Sequence, residues 1–385
     1  MELRYSEPDE AFRAELRAWL GLVLPELPAR PPRGDWQARR RFDTGWQRRL
    51  FDAGYAGLPW PREYGGRDAS PSEQLVFLEE TTRARAPNVG VNFVGLLHAG
   101  PTLIAEGTDE QKARYLPAIL RGDEVWCQGF SEPAAGSDLA ALGTRAVRQG
   151  DHYVVTGQKI WCSFAQVADF GELLVRTDPD APKHRGISWL ILPMDLPGIE
   201  VRPIETVLGS SEFSEVFLDD VRVPVENRVG EENDGWRVTQ VTFAFERGTA
   251  FVGELVEARR LAEDLARRCT LDDELACELG HVAAELDALW ALTKRNVTQA
   301  ARRGGPGDGA LMIKLAYSEA RQRLGDLSLR ALGREALDLE APDAEGWVEE
   351  RVRTLNLTIA AGTSQIQRNI IGERVLGLPR EPRPA

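Results

Sequence analysis

Three short stretches of this chain bring amides, hydroxyls and aromatic rings to the ends of apolar runs, where backbone donors lose their neighbours and become available to a ligand. The first is Trp126-Cys-Gln-Gly-Phe-Ser-Glu-Pro-Ala-Ala-Gly-Ser-Asp138. Phe130 and Ser131 end a β-type run, Pro133 cannot donate to a ladder and stops the pairing, and Gly136 lets the chain turn past something bulky. A strand end followed by a Ser/Asp-capped helix accounts for the same residues equally well. The second stretch, Gly157-Gln-Lys-Ile-Trp-Cys-Ser163, again finishes on an aromatic and a hydroxyl, Trp161 and Ser163. The third, Gly362-Thr-Ser-Gln-Ile-Gln-Arg368, sets Thr363 and Gln365 just after a glycine.

Two such strand edges suit a flavin, and with the third stretch the chain resembles the acyl-CoA dehydrogenase family over nearly all its length. The resemblance implies FAD as cofactor. It implies that Phe130 and Ser131, with Gln128 beside them, meet the pyrimidine edge of the flavin, that Ser163 offers a hydroxyl near N5, and that Trp161 covers the face away from substrate. Thr363 and Gln365 match residues at the diphosphate, and Ser137 one that lines the shared cofactor and CoA entrance. Read without the family, Thr363 is a helix N-cap and Gln365 a surface amide.

Oxidising an acyl-CoA to its enoyl form needs a base for the α-proton, a hydride acceptor for the β-carbon and donors for the thioester carbonyl. Many members of the family place a glutamate base directly before the Gly-Thr of the third stretch, but this chain reads Ala360-Ala361-Gly362-Thr363. Other members carry it on the first long helix of the C-terminal domain, before an arginine. Phe243-Ala-Phe-Glu-Arg-Gly248 puts Glu246 there, with Arg247 beside it and Phe243 as a further substrate contact. Flanking phenylalanines strip water from a carboxylate and raise its pKa from about 4.3 toward the working pH. An exposed Glu-Arg pair on a helix is the bland alternative. The backbone N–H of Ala361 takes the place where relatives hold the thioester oxygen, an oxyanion hole that needs no side chain.

The family further implies an acyl-CoA or acyl-carrier thioester as substrate, an electron-transfer flavoprotein as acceptor, and a homotetramer or a mixed heterotetramer. Two same-fold alternatives stand beside this reading: a flavin oxidase or monooxygenase, and a non-catalytic partner subunit. Where relatives hold the adenine half of FAD with an Arg and a Phe-Gly, this chain has Arg267-Arg-Cys-Thr-Leu-Asp272, and the usual glycine-rich turn is Leu332-Gly-Arg-Glu-Ala336. Only five of the 47 basic residues are lysine, which suggests a GC-rich genome, and Asn369-Ile-Ile-Gly-Glu-Arg-Val-Leu-Gly-Leu-Pro379 is similar to actinobacterial members, some of them acting on sterol side chains.

A net charge of −13 over 385 residues, with no stripe of basic and aromatic residues, argues against a nucleic-acid partner. An anionic ligand must then be held by local arginines and helix N-termini. Cys127, Cys162, Cys269 and Cys277 form no CxxC pair, and His98, His152, His184 and His281 never fall at ligand spacing, so neither a disulfide framework nor a metal site is expected. No secretion signal opens the chain and no run of about 18 apolar residues could span a bilayer; the expectation is a soluble, cytoplasmic protein.

The elements that must position these stretches follow from periodicity. An α+β architecture in three parts is predicted: a helical domain over 1–121, a small β-barrel or sandwich over 122–230, and a four-helix-type bundle over 231–385. Helical stripes run through Phe12, Leu16, Trp19, Leu20 and Val23, and through Trp36, Phe42, Trp46 and Leu50, while Ser70-Pro-Ser-Glu73 and Thr108-Asp-Glu-Gln111 read as capping boxes. Period-two runs at 125–130, 144–147, 152–155, 173–176, 187–192 and 216–223 predict strands. Helices are predicted over 236–267, 271–302, 309–332 and 345–360, with a shorter one through Arg374; Arg303-Gly-Gly-Pro-Gly-Asp-Gly309 lacks the Lys-Ser/Thr of a P-loop and reads as a connector.

Overall fold

The computed structural model describes residues 4–32, 34–249, 252–303, 309–338 and 344–379, with side chains described throughout these ranges except at 244–249, 300–303, 309–311 and 344–345. The first helices are α1 (Glu7–Val23), α2 (Trp36–Asp52), α3 (Pro71–Arg83), α4 (Gly100–Glu106) and α5 (Asp109–Arg121). The strands follow as β1 (Trp126–Gly129), β2 (Arg145–Gln149), β3 (His152–Ser163), β4 (Phe170–Arg176), β5 (Ile187–Pro193), β6 (Ile199–Ile204), β7 (Phe213–Pro224) and β8 (Arg228–Val229). Then come α6 (Gly235–Thr249), α7 (Val252–Arg268), α8 (Asp273–Arg303), α9 (Gly309–Leu332), α10 (Ala344–Thr354) and α11 (Ser364–Ile370). Helical, β and helical regions thus succeed one another as the periodicity predicts. The helix predicted over 236–267 is described as α6 and α7, on either side of residues 250–251; of the predicted connector, Arg303 ends α8, Gly309 begins α9, and residues 304–308 lie outside the described residues.

Packing gathers the chain into two compact units, one of Met1–Pro25, Ser70–Ala86 and Arg247–Ala385, the other of Glu26–Ala69 and Pro87–Glu246. In the first unit the stripe of α1 does what its spacing demands: Phe12, Leu16, Leu20 and Val23 are buried, while Trp19 stays partly exposed. Ser6 and Ser70 form the capping boxes that start α1 and α3. The two helices are clamped by charge, because Arg17 Nε lies 2.5 Å from Glu80 Oε2 and Arg13 bonds the same carboxylate. Leu255, Leu286 and Tyr317, from α7, α8 and α9, have no exposed surface and centre the bundle core. α10 stops at Thr354 instead of continuing to 360, and Leu355–Thr358 form a 3-10 turn. Asn and β-branched residues weaken a helix there, and α9 takes over the carbonyls: Gln322 Nε2 donates to Thr354 O at 3.0 Å and Lys314 Nζ to Leu357 O at 3.0 Å.

In the second unit all eight strands make one sheet, ordered β6-β7-β3-β2-β4-β5-β8, with β1 parallel to β4. β6 and β8 were not expected. β6 pairs only with β7, is partly exposed along its length and contains Pro203, all marks of an edge strand with a weak alternating signal. β3 is longer than its 152–155 signal because two register shifts interrupt the alternation, between Val155 and Gly157 and between Lys159 and Cys162. The first lets Gly157 pass Thr144, whose side chain would lie 2.5 Å from any added Cβ. Among the described residues no helix is long and apolar enough to cross a membrane.

Burial works against an ionised Glu80, but its bonds to Arg17 and Arg13 outweigh it and hold the carboxyl below its ordinary value of 4.5. Folding therefore favours the carboxylate. The stabilisation is complete above the unfolded pKa and is lost as pH falls through the folded one. Glu80→Gln should lower the melting temperature at pH 7 and flatten its decline between pH 5 and pH 3, relative to wild type, in thermal scans across that range.

Candidate functional site

The first stretch leaves β1 at Gly129 and doubles back at once. Glu132 N donates to Ala135 O at 3.1 Å and Ala135 N to Glu132 O at 3.0 Å, so Pro133 and Ala134 form the tip of a tight turn. Phe130 is buried, Ser131 half-buried and Ser137 exposed. Ser131 O accepts from Ile160 N at 2.9 Å, which ties this edge directly to the second stretch on β3. Gln128 turns inward: its Nε2 lies 2.7 Å from Glu172 Oε1 and 3.0 Å from His98 Nδ1, in a buried polar cluster beneath the edge. His98 sits on a π-helical turn, Gly95–Ala99, a local insertion often found beside functional sites.

The second shift in β3 falls at Trp161. Its φ of +62° is in the left-handed region that a bulky residue avoids, and its side chain is 56% exposed. Strained backbone of this kind clusters at functional sites, which makes Trp161 a candidate ligand-facing residue. The ring meets Phe213 edge-on at 6.0 Å between centroids. Ser163 follows two residues later, half-buried. The intervening Cys162 is inert, because burial pushes its thiol up to about 12.

α6 is seated closely in the same unit. An added Cβ on Gly235 would lie 2.5 Å from the backbone of Ser188, Thr242 and Thr102 share a buried hydroxyl pair at 2.9 Å, and Phe243 packs edge-on against Phe130 at 6.2 Å. Glu246 lies three residues after Phe243 on this helix; its side chain and that of Arg247 lie outside the described residues.

In the other unit the third stretch begins with a left-handed pair, Ala361 at φ +53° and Gly362 at φ +85°. Thr363 caps α11, accepting from Ile366 N at 3.2 Å, and Gln365 is exposed. Two residues that the sequence reading passed over hold this turn. Buried Gln367 donates from Nε2 to Ala361 O at 3.0 Å, and buried Lys314 donates to Gly362 O at 2.7 Å as well as to Leu357 O. Gln367 was within the quoted motif, one helical turn after Thr363, and its spacing could have marked it. Lys314 is a lone lysine in the apolar run Leu311-Met-Ile-Lys-Leu-Ala316, where an unpaired charge could not be tolerated.

These strand edges fit a flat heterocycle: a strained, half-exposed tryptophan beside a strand end with a buried phenylalanine and a hydroxyl. A helical region, one eight-stranded sheet and a second helical region in succession are the architecture of the acyl-CoA dehydrogenases. The family models agree in detail. The acyl-CoA dehydrogenase N-terminal, middle and C-terminal domains match residues 6–123, 127–221 and 233–376, and the chain belongs to the acyl-CoA dehydrogenase family of enzymes. It is similar to acyl-CoA dehydrogenase IpdE1 of Mycobacterium tuberculosis, 40% identical with 97% of this chain and 98% of the relative covered. Among solved structures it is similar to the Tcur3481-Tcur3483 steroid ACAD (34% identity, 99% of this chain and 100% of that one, TM-score 0.85). It is also similar to the ChsE4-ChsE5 complex from Mycobacterium tuberculosis (35% identity, 99% and 100% covered, TM-score 0.83).

Replacing Lys314 by Met should take this donor from the partly buried carbonyls of Leu357 and Gly362, at about 0.5–1.5 kcal/mol for each. The expected result is faster hydrogen exchange confined to residues 355–364, with exchange in α7 and α8 unchanged.

Proposed function

We propose that this chain is an FAD-dependent acyl-CoA dehydrogenase that introduces an α,β double bond into a CoA thioester whose acyl group is joined to a steroid-derived ring system. Glu246 takes the α-proton, and the N–H of Ala361 donates to the thioester oxygen as negative charge gathers there. FAD, when bound, supplies the acceptor for the hydride that leaves the β-carbon. Phe130, Ser131, Ser163 and Trp161 hold the flavin ring, Thr363 and Gln365 its diphosphate side, and Ser137 the entrance. Electrons pass on to an electron-transfer flavoprotein, and the chain works as a tetramer of one chain type or two. The named pair of chains in each of the two solved relatives favours the mixed form.

The observation that carries this reading is the exchange of roles between two positions. Ala361 lies in a left-handed turn at the position where many relatives keep their base, so that turn offers only a backbone donor, while α6 carries a glutamate three residues beyond Phe243, which packs on Phe130.

Glu246→Gln should keep FAD and thioester binding and lose flavin reduction by about 10⁴-fold or more, since Gln keeps the shape and cannot accept the proton. Stopped-flow bleaching with a steroid side-chain CoA thioester measures this; wild-type rates in the variant would remove Glu246 from the mechanism. Trp161→Ala should weaken FAD binding and alter the bound flavin spectrum through loss of a large apolar cover. Unchanged affinity and absorbance would place Trp161 away from the ring. Lack of flavin and of activity in the purified single chain, together with full activity of a mixed tetramer that carries Glu246→Gln in this chain, would favour the non-catalytic partner role.

A further inference from the structure

Lys159 is one of the largest side chains in the protein with no exposed surface. It stands on β3 two residues before Trp161, yet it points the other way, under the loop that the first stretch forms. Its ammonium donates to Phe130 O at 3.2 Å and to Glu132 Oε1 at 2.8 Å. The carboxylate of Glu132 also accepts from the far end of the same loop: Gly143 N reaches Oε2 at 2.7 Å and Thr144 N reaches Oε1 at 2.9 Å. One ion pair therefore joins β3, the exit of β1 and the entry to β2. Arg176 adds a second hold on this loop by donating to Ala140 O at 2.6 Å.

Burial disfavours both charges, and each is retained through the other. Desolvation opposes the Glu132 carboxylate, but the ammonium of Lys159 and the N–H donors outweigh it and keep its pKa below the usual range. Burial draws the Lys159 ammonium down from the ordinary lysine value, and Glu132 works against that fall. Such a pair is a poor stabiliser compared with apolar packing, since the desolvation cost consumes most of the attraction. Its effect is directional. It fixes where the Phe130 carbonyl lies, and with it the peptide that leads to Ser131.

We propose that the Lys159–Glu132 pair is a positioning device for the flavin edge: it touches no ligand itself and sets the geometry of the Phe130-Ser131 backbone on which FAD affinity depends. This inference rests on the reading of that edge as an FAD site. Supports standing behind the groups that touch a ligand are worth roughly tenfold to a hundredfold in affinity where they have been removed around metals, and a comparable factor is expected here.

The test uses the whole chain stripped of flavin and titrated with FAD, following fluorescence for the dissociation constant and absorbance for the spectrum of the bound ring. Lys159→Met and Glu132→Gln should each raise the dissociation constant roughly tenfold or more and shift the flavin spectrum, at temperatures where every variant is fully folded. Val175→Ala, a cavity in the same sheet at a residue with no exposed surface, controls for lost stability and should lower the melting temperature with affinity unchanged. Glu132→Gln keeps the side-chain shape and an acceptor for one N–H, so it decides the matter if Lys159→Met does not fold. Wild-type affinity and spectrum in Glu132→Gln, or a loss matched by Val175→Ala, would overturn the positioning role while leaving the FAD reading intact. A wild-type chain that takes up no FAD would overturn that reading itself.

Discussion

A cation with no access to water has to be answered by anions or carbonyl dipoles, and it then fixes the geometry of whatever answers it. Both turns of this protein that carry candidate site residues are built on that constraint. Lys159 gathers the Phe130 carbonyl and Glu132 on one side of the sheet. In the other unit Lys314 gathers the carbonyls of Leu357 and Gly362 and so shapes the turn at Ala361. Neither turn could be set by hydrophobic packing alone, because packing is tolerant of small displacements and a hydrogen bond of about 2.9 Å is not.

Strain is distributed in the same way. Trp161 and Ala361 are non-glycine residues held at positive φ, and each stands next to one of the buried anchors in the sequence or in space: Trp161 two residues after Lys159, Ala361 against Gln367 and beside the Gly362 carbonyl that Lys314 holds. A backbone conformation that costs of order 1–3 kcal/mol survives only where its surroundings over-determine it. At these two positions a strained residue and a buried donor stand together, the donor restraining the peptides beside the strained one.

Much of the fold was legible in the sequence. The capping boxes at Ser70 and Thr108, the stripe of α1 and the bounds of α9 follow from local rules that tertiary structure did not overrule. β3 was legible only to Val155, because each bulge moves the alternation by one residue and erases the signal that defines a strand. The candidate site was legible as family motifs, through Phe130, Ser131, Trp161 and the Gly362-Thr363 pair. Its supports were not. Glu132 reads as one more polar residue in a turn, and only the fold reveals that it caps the amides of Gly143 and Thr144, eleven and twelve residues away.

The scarcity of lysine takes on a meaning in this light. The chain contains 42 arginines and five lysines, and two of those five, at 159 and 314, are almost wholly enclosed. On a surface the two residues trade with little consequence. Inside these turns they do not, since an ammonium is a compact point with three donors that converge on carbonyls from different directions, whereas a guanidinium is a wide, flat fork suited to a single planar partner. Lys159 and Lys314 stand at two enclosed places where the wider group would force apart the peptides that the ammonium gathers, so these two lysines mark turns where the architecture has no slack.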